Sequence, residues 1–84
     1  PDYSISVSNL GSEVTELVLV QLFQSRYQST TSAKIMSDPI SGVSRGYGFV
    51  CFANAEDQKK AQIEMQGMYC GNHPMRISTV TFKN

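Results

Sequence analysis

The sequence predicts an α+β domain in the order strand, helix, strand, strand, helix, strand, with a four-stranded antiparallel sheet and both helices on one face. Three observations predict it. Stretches that alternate polar and apolar residues stand near both ends of the chain, at residues 4–8 and 75–80, as in strands with one buried face. Two segments carry residues of helical spacing behind a capping side chain, Thr15 and Asn54. With 84 residues there is material for a single core, so helices must cover one side of the sheet and leave the other open.

Ser4-Ile5-Ser6-Val7-Ser8 alternates strictly, and Asn9-Leu10-Gly11-Ser12 is a turn signal. The first helix is expected over residues 15–27, with Leu19, Leu22, Phe23 and Tyr27 facing inward. A polar connection, rich in Ser and Thr, overlaps its end at 25–32. The second strand is expected at 33–37, stopped by Asp38-Pro39, and a polar loop containing Gly42 leads to a third strand at 47–52. Asn54 caps a second helix that runs to about Gln66, with Gly67 as its stop signal. Residues 75–80 form the fourth strand. This is the ferredoxin-like split βαβ arrangement, βαββαβ. One domain is expected over 1–84, with a core at about 4–80 and linker on either side. Since the chain opens on Pro1, it is expected to be a module of a longer protein.

Composition excludes several classes of function. With 40% hydrophobic and 17% charged residues the chain is globular rather than disordered. Cys51, Cys70 and His73 are too few for a disulfide framework or a four-ligand zinc site. They are read as ordinary residues of an intracellular protein, nuclear or cytoplasmic, with no metal and no cofactor. The longest apolar stretch, residues 17–20, is far too short for a membrane span, so no membrane partner is expected. Catalysis is not expected either. The one histidine lies in a loop, and the loop at 9–13 lacks the arginine that small hydrolases of this fold use to cradle an anion.

The net charge is zero, which by itself argues against a polyanionic partner. Its distribution argues otherwise. Glu13, Glu16, Glu56, Asp57 and Glu64 are assigned to the helical segments, and Lys34, Arg45, Arg76 and Lys83 to strands or their flanks. A mildly basic sheet backed by acidic helices is expected.

The chemistry concentrates in Arg45-Gly46-Tyr47-Gly48-Phe49-Val50-Cys51-Phe52. On a pleated strand Gly46, Gly48, Val50 and Phe52 point one way and Arg45, Tyr47, Phe49 and Cys51 the other. Val50 and Phe52 supply core, and the glycines allow close packing or twist. The opposite face presents two aromatic rings beside a guanidinium. Either a third layer covers those rings or they are a stacking platform. The octapeptide resembles RNP1 of the RNA-recognition motif (RRM) family, K/R-G-F/Y-G/A-F-V-x-F/Y, a chance match on the order of one in a million in this length. The resemblance implies a platform for single-stranded RNA, with Arg45 on a phosphate or a base edge.

The resemblance extends over essentially the whole chain. Ile5-Ser6-Val7-Ser8-Asn9-Leu10 is similar to the family's RNP2, except that Ser6 stands where an aromatic residue is usual. A hydroxyl hydrogen-bonds a base but does not stack on it, a loss of about 1–3 kcal/mol. The segments 38–49, 64–67 and 74–77 resemble the middle RRM of proteins with three RRMs in a row. Those include TIA-like and polyuridylate-binding proteins, yeast splicing and mRNA-stability regulators, and the selenocysteine-tRNA-associated protein. This implies U-rich or AU-rich strands, roles in splicing, stability or stress control of mRNA, and neighbouring RRMs as partners.

Further candidates follow from parity. Arg76 and Ser78 lie on the open face of the fourth strand, Lys34 and Met36 on that of the second. Ser8 and Asn9 either bond a base or shape the exit from the first strand. Phe82 shares the parity of Arg76 and either folds over the sheet or anchors a linker; Lys83 either tracks the RNA backbone or belongs to a tail. Leu17, Val18, Val20 and Ile63 exceed what the helices need for core, and suggest a rival reading in which a protein partner binds the helix face.

Overall fold

The computed structural model describes residues 3–79. Its elements are β1 (Tyr3–Ser8), α1 (Glu16–Gln24), β2 (Thr30–Ser37), β3 (Ser44–Phe52), α2 (Ala55–Glu64), β4 (Tyr69–Cys70), β5 (His73–Pro74) and β6 (Arg76–Thr79). The strands β2-β3-β1-β6 form one antiparallel sheet in that order. The first helix packs on β2 and β3, the second on β1, β3 and β6, and both cover the same face. This is the α+β, ferredoxin-like fold expected.

The caps work as the sequence suggests. Thr15 accepts a hydrogen bond from the Val18 N–H at 3.2 Å, and Asn54 accepts one from the Asp57 N–H at 2.8 Å. Each satisfies a donor the helix cannot. The first helix nonetheless stops at Gln24, three residues short of expectation. The Ser25 hydroxyl turns back onto the Leu22 carbonyl at 2.7 Å, and beyond it the Arg26 and Tyr27 N–H groups both turn onto the one Phe23 carbonyl. Tyr27 keeps its place in the core from outside the helix. The second helix stops at Glu64, and Gly67 adopts the left-handed φ of 78° that a helix stop requires. Glu13, assigned to the first helix, stands two residues ahead of its cap, where its carboxylate accepts the Asn72 N–H.

The core lies between helices and sheet. Ile5, Val7, Val50, Phe52 and Ile77 come from the strands, Leu19 and Phe23 from the first helix, Ala61 and Met65 from the second helix and its cap. Phe23, Tyr27 and Phe52 meet at centroid separations of 6.0 to 6.3 Å, with Tyr27 and Phe52 edge to face; such pairs add about 0.5–1.5 kcal/mol beyond their area. Leu10, Val14, Cys70 and Met75 fill the end of the core from loops and the β4–β5 hairpin.

That hairpin is absent from the sequence expectation. Cys70 pairs with His73 across Gly71-Asn72, and Gly71 has φ 74°, the conformation a two-residue turn needs at its first position. Both edges of the main sheet are also occupied. The Gln66 amide donates to Ile77 O at 2.8 Å and accepts from Ile77 N at 2.9 Å on β6. Glu16 accepts the Ile35 N–H of β2 at 3.1 Å. Side chains thus take backbone groups that would otherwise invite another strand.

Candidate nucleic-acid interface

The register builds the open face row by row. Opposed residues on neighbouring strands share a face, and Lys34, Phe49, Ser6 and Ser78 are successive partners across the four strands. Ser32, Cys51 and Ser4 form a second row, and Ser8 lies opposite Arg76. Their chain neighbours Ile5, Val7, Val50 and Ile77 are buried beneath the helices, so these rows face the other way. Tyr47 and Phe49 stand two residues apart on β3, half-buried, with ring centroids 6.2 Å apart at 88°. Two π-faces and flanking cations at Lys34 and Arg76 offer stacking and charge together.

Gly48 and Gly46 make this arrangement possible for different reasons. A Cβ on Gly48 would run into the Lys34 carbonyl oxygen and sit 3.1 Å from Ile35 Cα. The glycine is required by the closeness of β2, not by the helices. Gly46 has φ 82°, and its carbonyl accepts the Leu10 N–H at 2.8 Å. Next to it the β2–β3 register slips between Ile35 and Ser37. The pleat that orders Tyr47, Phe49 and Cys51 is therefore interrupted before Arg45, and simple alternation does not place that side chain. Its guanidinium instead lies 4.0 Å from the Asp38 carboxylate, both groups about half-exposed. The backbone N–H groups of Ser41 and Ile40 hold the Asp38 carboxyl below its ordinary range. Asp38 therefore stays charged and competes with any phosphate for Arg45.

The remaining candidates divide. Ser6 is half-buried at the centre of the face, and Ser78 and Lys34 are exposed on it. Arg76 is exposed opposite Ser8, whose hydroxyl donates to the Arg76 carbonyl at 3.4 Å. Asn9 adopts φ 61° and its amide donates to Pro74 O at 2.8 Å, so it shapes the exit from β1. Met36 is half-buried at the register slip. Cys51 lies on the face with its sulfur 3.4 Å from the Ser4 hydroxyl; Ser4 went unassigned, although its parity with Ser6 and Ser8 places it there. Phe82 and Lys83 lie outside the described residues.

On the helix side Leu17 is 63% and Ile63 76% exposed, and Val18 is exposed. Val20 is half-buried, which removes it from that patch. Nor is this side simply acidic: Lys59 and Lys60 stand exposed on the second helix among Glu56 and Glu64. Among the described residues no helix is long and apolar enough to cross a membrane.

Comparison with known proteins agrees with this geometry. Residues 5–76 match the family model described as RNA recognition motif. An uncharacterized RNA-binding protein of Schizosaccharomyces pombe is 52% identical over 83 residues, covering 99% of this chain and 18% of that protein. A polyadenylate-binding protein of Arabidopsis thaliana is 46% identical over 83 residues, covering 99% of this chain and 20% of the relative. The chain therefore spans about a fifth of the curated relatives it matches. Among solved structures, the first two RRM domains of the yeast poly(U)-binding protein superpose with a TM-score of 0.90 at 32% identity, covering 96% of this chain and 48% of that one.

Proposed function

The chain belongs to the RNA recognition motif family, and from that membership we propose that its open sheet face binds single-stranded RNA, preferring U-rich or AU-rich strands. The observation that carries the reading is the pair of rings at Tyr47 and Phe49, 6.2 Å apart on the sheet centre with Lys34 and Arg76 to either side. Stacking on such rings contributes about 1–3 kcal/mol per base and tolerates any sequence, so the rings supply affinity and the polar residues around them supply preference. Likeness to a yeast protein named for poly(U) binding supports uridylate. The plant relative is named for polyadenylate, which makes adenylate the competitor to test.

In this reading the chain is a binding module that catalyses no reaction. It is the middle one of several RRMs in an intracellular regulator of mRNA splicing, stability or stress response, nuclear or cytoplasmic. Neighbouring RRMs add affinity through effective concentration. A second reading, in which a protein partner docks on the helix side, is favoured by the exposure of Leu17 and Ile63.

One titration separates the two. Short oligouridylate and oligoadenylate are added to the chain at low salt while backbone amide shifts are followed, then again with Tyr47→Ala and Phe49→Ala. Shifts are expected on β1, β3 and β6, with each variant losing about 1–3 kcal/mol of affinity and keeping its fold. Silence of Tyr47 and Phe49 toward every RNA would remove the reading and leave the helix side as the binding surface.

A further inference from the structure

Serine occupies the three positions of β1 on this side of the sheet: Ser4, which is buried, and Ser6 and Ser8, which are half-buried. The outer two are engaged, Ser4 with the Cys51 sulfur and Ser8 with the Arg76 carbonyl. Ser6 is different. Its direct partner on β6 is Ser78 and its direct partner on β3 is Phe49, and among the described residues neither the Ser6 nor the Ser78 hydroxyl has a hydrogen-bond partner. The sheet thus has an aromatic half on β3 and a hydroxyl half on β1 and β6, meeting between Phe49 and Ser6.

We propose that Ser6 and Ser78 form a hydroxyl pair that reads the hydrogen-bonding edge of the nucleobase stacked on Phe49. The proposal rests on the reading that this face binds single-stranded RNA, and assigns it a specificity determinant. Neighbouring strands are about 4.8 Å apart, so a base lying on the Phe49 ring directs an edge toward Ser6 one strand away and Ser78 beyond it. Opposed side chains have Cβ atoms about 4.5–5.5 Å apart, and two hydroxyls at that spacing can bracket adjacent atoms of one edge. A hydroxyl donates and accepts. The pair therefore matches an edge on which donor and acceptor are neighbours, such as N3–H beside O4 in uracil or N1 beside the N6 amine in adenine. An aromatic residue at position 6 would offer a second stacking surface and no such reading. The exchange of ring for hydroxyl gives up general affinity and makes binding depend on a free base edge, because a base whose edge cannot pair leaves polar groups unsatisfied at a half-buried position.

Methylation of the edge tests this, because it leaves the stacking face intact. Affinities are measured by fluorescence anisotropy for oligouridylate against oligo(3-methyluridylate), and for oligoadenylate against oligo(N6,N6-dimethyladenylate). The proteins are the wild-type chain, the double variant Ser6→Ala/Ser78→Ala, and Ser6→Phe; circular dichroism checks that each is folded. The wild type is expected to lose about tenfold or more on methylation in at least one series, and the series affected names the base. The double variant is expected to bind the unmodified strand about tenfold more weakly and to ignore the methyl groups. Ser6→Phe is expected to recover affinity by stacking, also without discrimination. Equal wild-type affinity for methylated and unmodified strands, with Tyr47 and Phe49 still shifting on titration, overturns the hydroxyl pair and leaves RNA binding standing. Discrimination that survives in the double variant overturns it too. Absence of any response at Tyr47 and Phe49 to all four strands overturns RNA binding itself, and the pair with it.

Discussion

Single residues set both the stability and the legibility of this domain. Tyr27 leaves the helix but not the core. Its ring meets Phe52 edge-on at 6.0 Å, and its hydroxyl donates to Glu64 Oε1 at 2.6 Å. Burial, then the bond to Glu64 and the negative charge of that carboxylate, hold the phenol proton far above the ordinary value of 10.0. Because the native state keeps the proton more tightly than the unfolded chain, this stabilisation is full below pH 10.0. It is lost as pH rises from there toward the native value. Urea unfolding should therefore show stability falling more steeply above pH 10.0 in the wild type than in Tyr27→Phe. At neutral pH that variant should cost about 1.5 kcal/mol, the contribution of a hydrogen bond to a charged group. Parallel alkaline slopes would show that the phenol is not held. The candidate face was legible at this scale wherever one residue determines its neighbour's face: the placement of Ser6, Phe49, Ser78 and Lys34 in one row follows from alternation. That of Arg45 does not, because the φ of 82° at Gly46 breaks the alternation, and no pattern of apolar residues announces such a break.

Elements were legible in proportion to their apolar patterning. The strand β1, residues 47–52 of β3 and both caps could be read because alternation and capping side chains are local signals, whereas the start of β3 at Ser44 lies three residues before expectation. The second strand starts three residues before expectation, at Thr30, because pairing with β3 is not constrained to apolar residues. The β4–β5 hairpin escaped notice because its strands are two residues each, too short to show a period; its one available signal was the Gly71-Asn72 turn pair. Helix ends were misjudged where a side chain, such as Ser25, decides the matter locally. Edge protection could not be read at all, since Gln66 finds Ile77 only after the chain has folded. Its two bonds, at 2.8 and 2.9 Å, make a sharp test. Gln66→Glu keeps the acceptor for the Ile77 N–H but sets a carboxylate oxygen against the Ile77 carbonyl. It should destabilise the domain by about 1 kcal/mol and do so more than Gln66→Ala, where water replaces both bonds. Amide exchange at Ile77 should quicken in Gln66→Ala and leave the centre of β3 unaffected. Unchanged exchange would mean the edge is protected by something other than this amide.

At the scale of the whole molecule, neutrality and RNA binding are reconciled by geometry, and the reconciliation has a measurable size. The total charge is zero, so long-range attraction to a polyanion is weak. Lys34 and Arg76 nevertheless stand exposed on the open face, and Arg45 stands exposed beside it, only 4.0 Å from Asp38. An exposed pair of that kind contributes little by itself, and a phosphate can displace it. Binding to a single strand weakens with salt by a slope of roughly −0.7 per phosphate neutralised, so three contacts set a slope of about −2 for log K against log salt. Arg76→Ala should reduce its magnitude by about 0.7 while leaving the preference between uridylate and adenylate unchanged. Phe49→Ala should lower the affinity equally at every salt concentration, because stacking releases no counterions. A steeper slope, of about −3.5 or beyond, would require cations such as Lys59 and Lys60 behind the sheet, and the RNA would then have to wrap around the edge instead of lying on the open face. A slope indifferent to Arg76→Ala would place the strand along β2 and β3, with Lys34 and Arg45 carrying the charge and the β6 half of the sheet left to the bases.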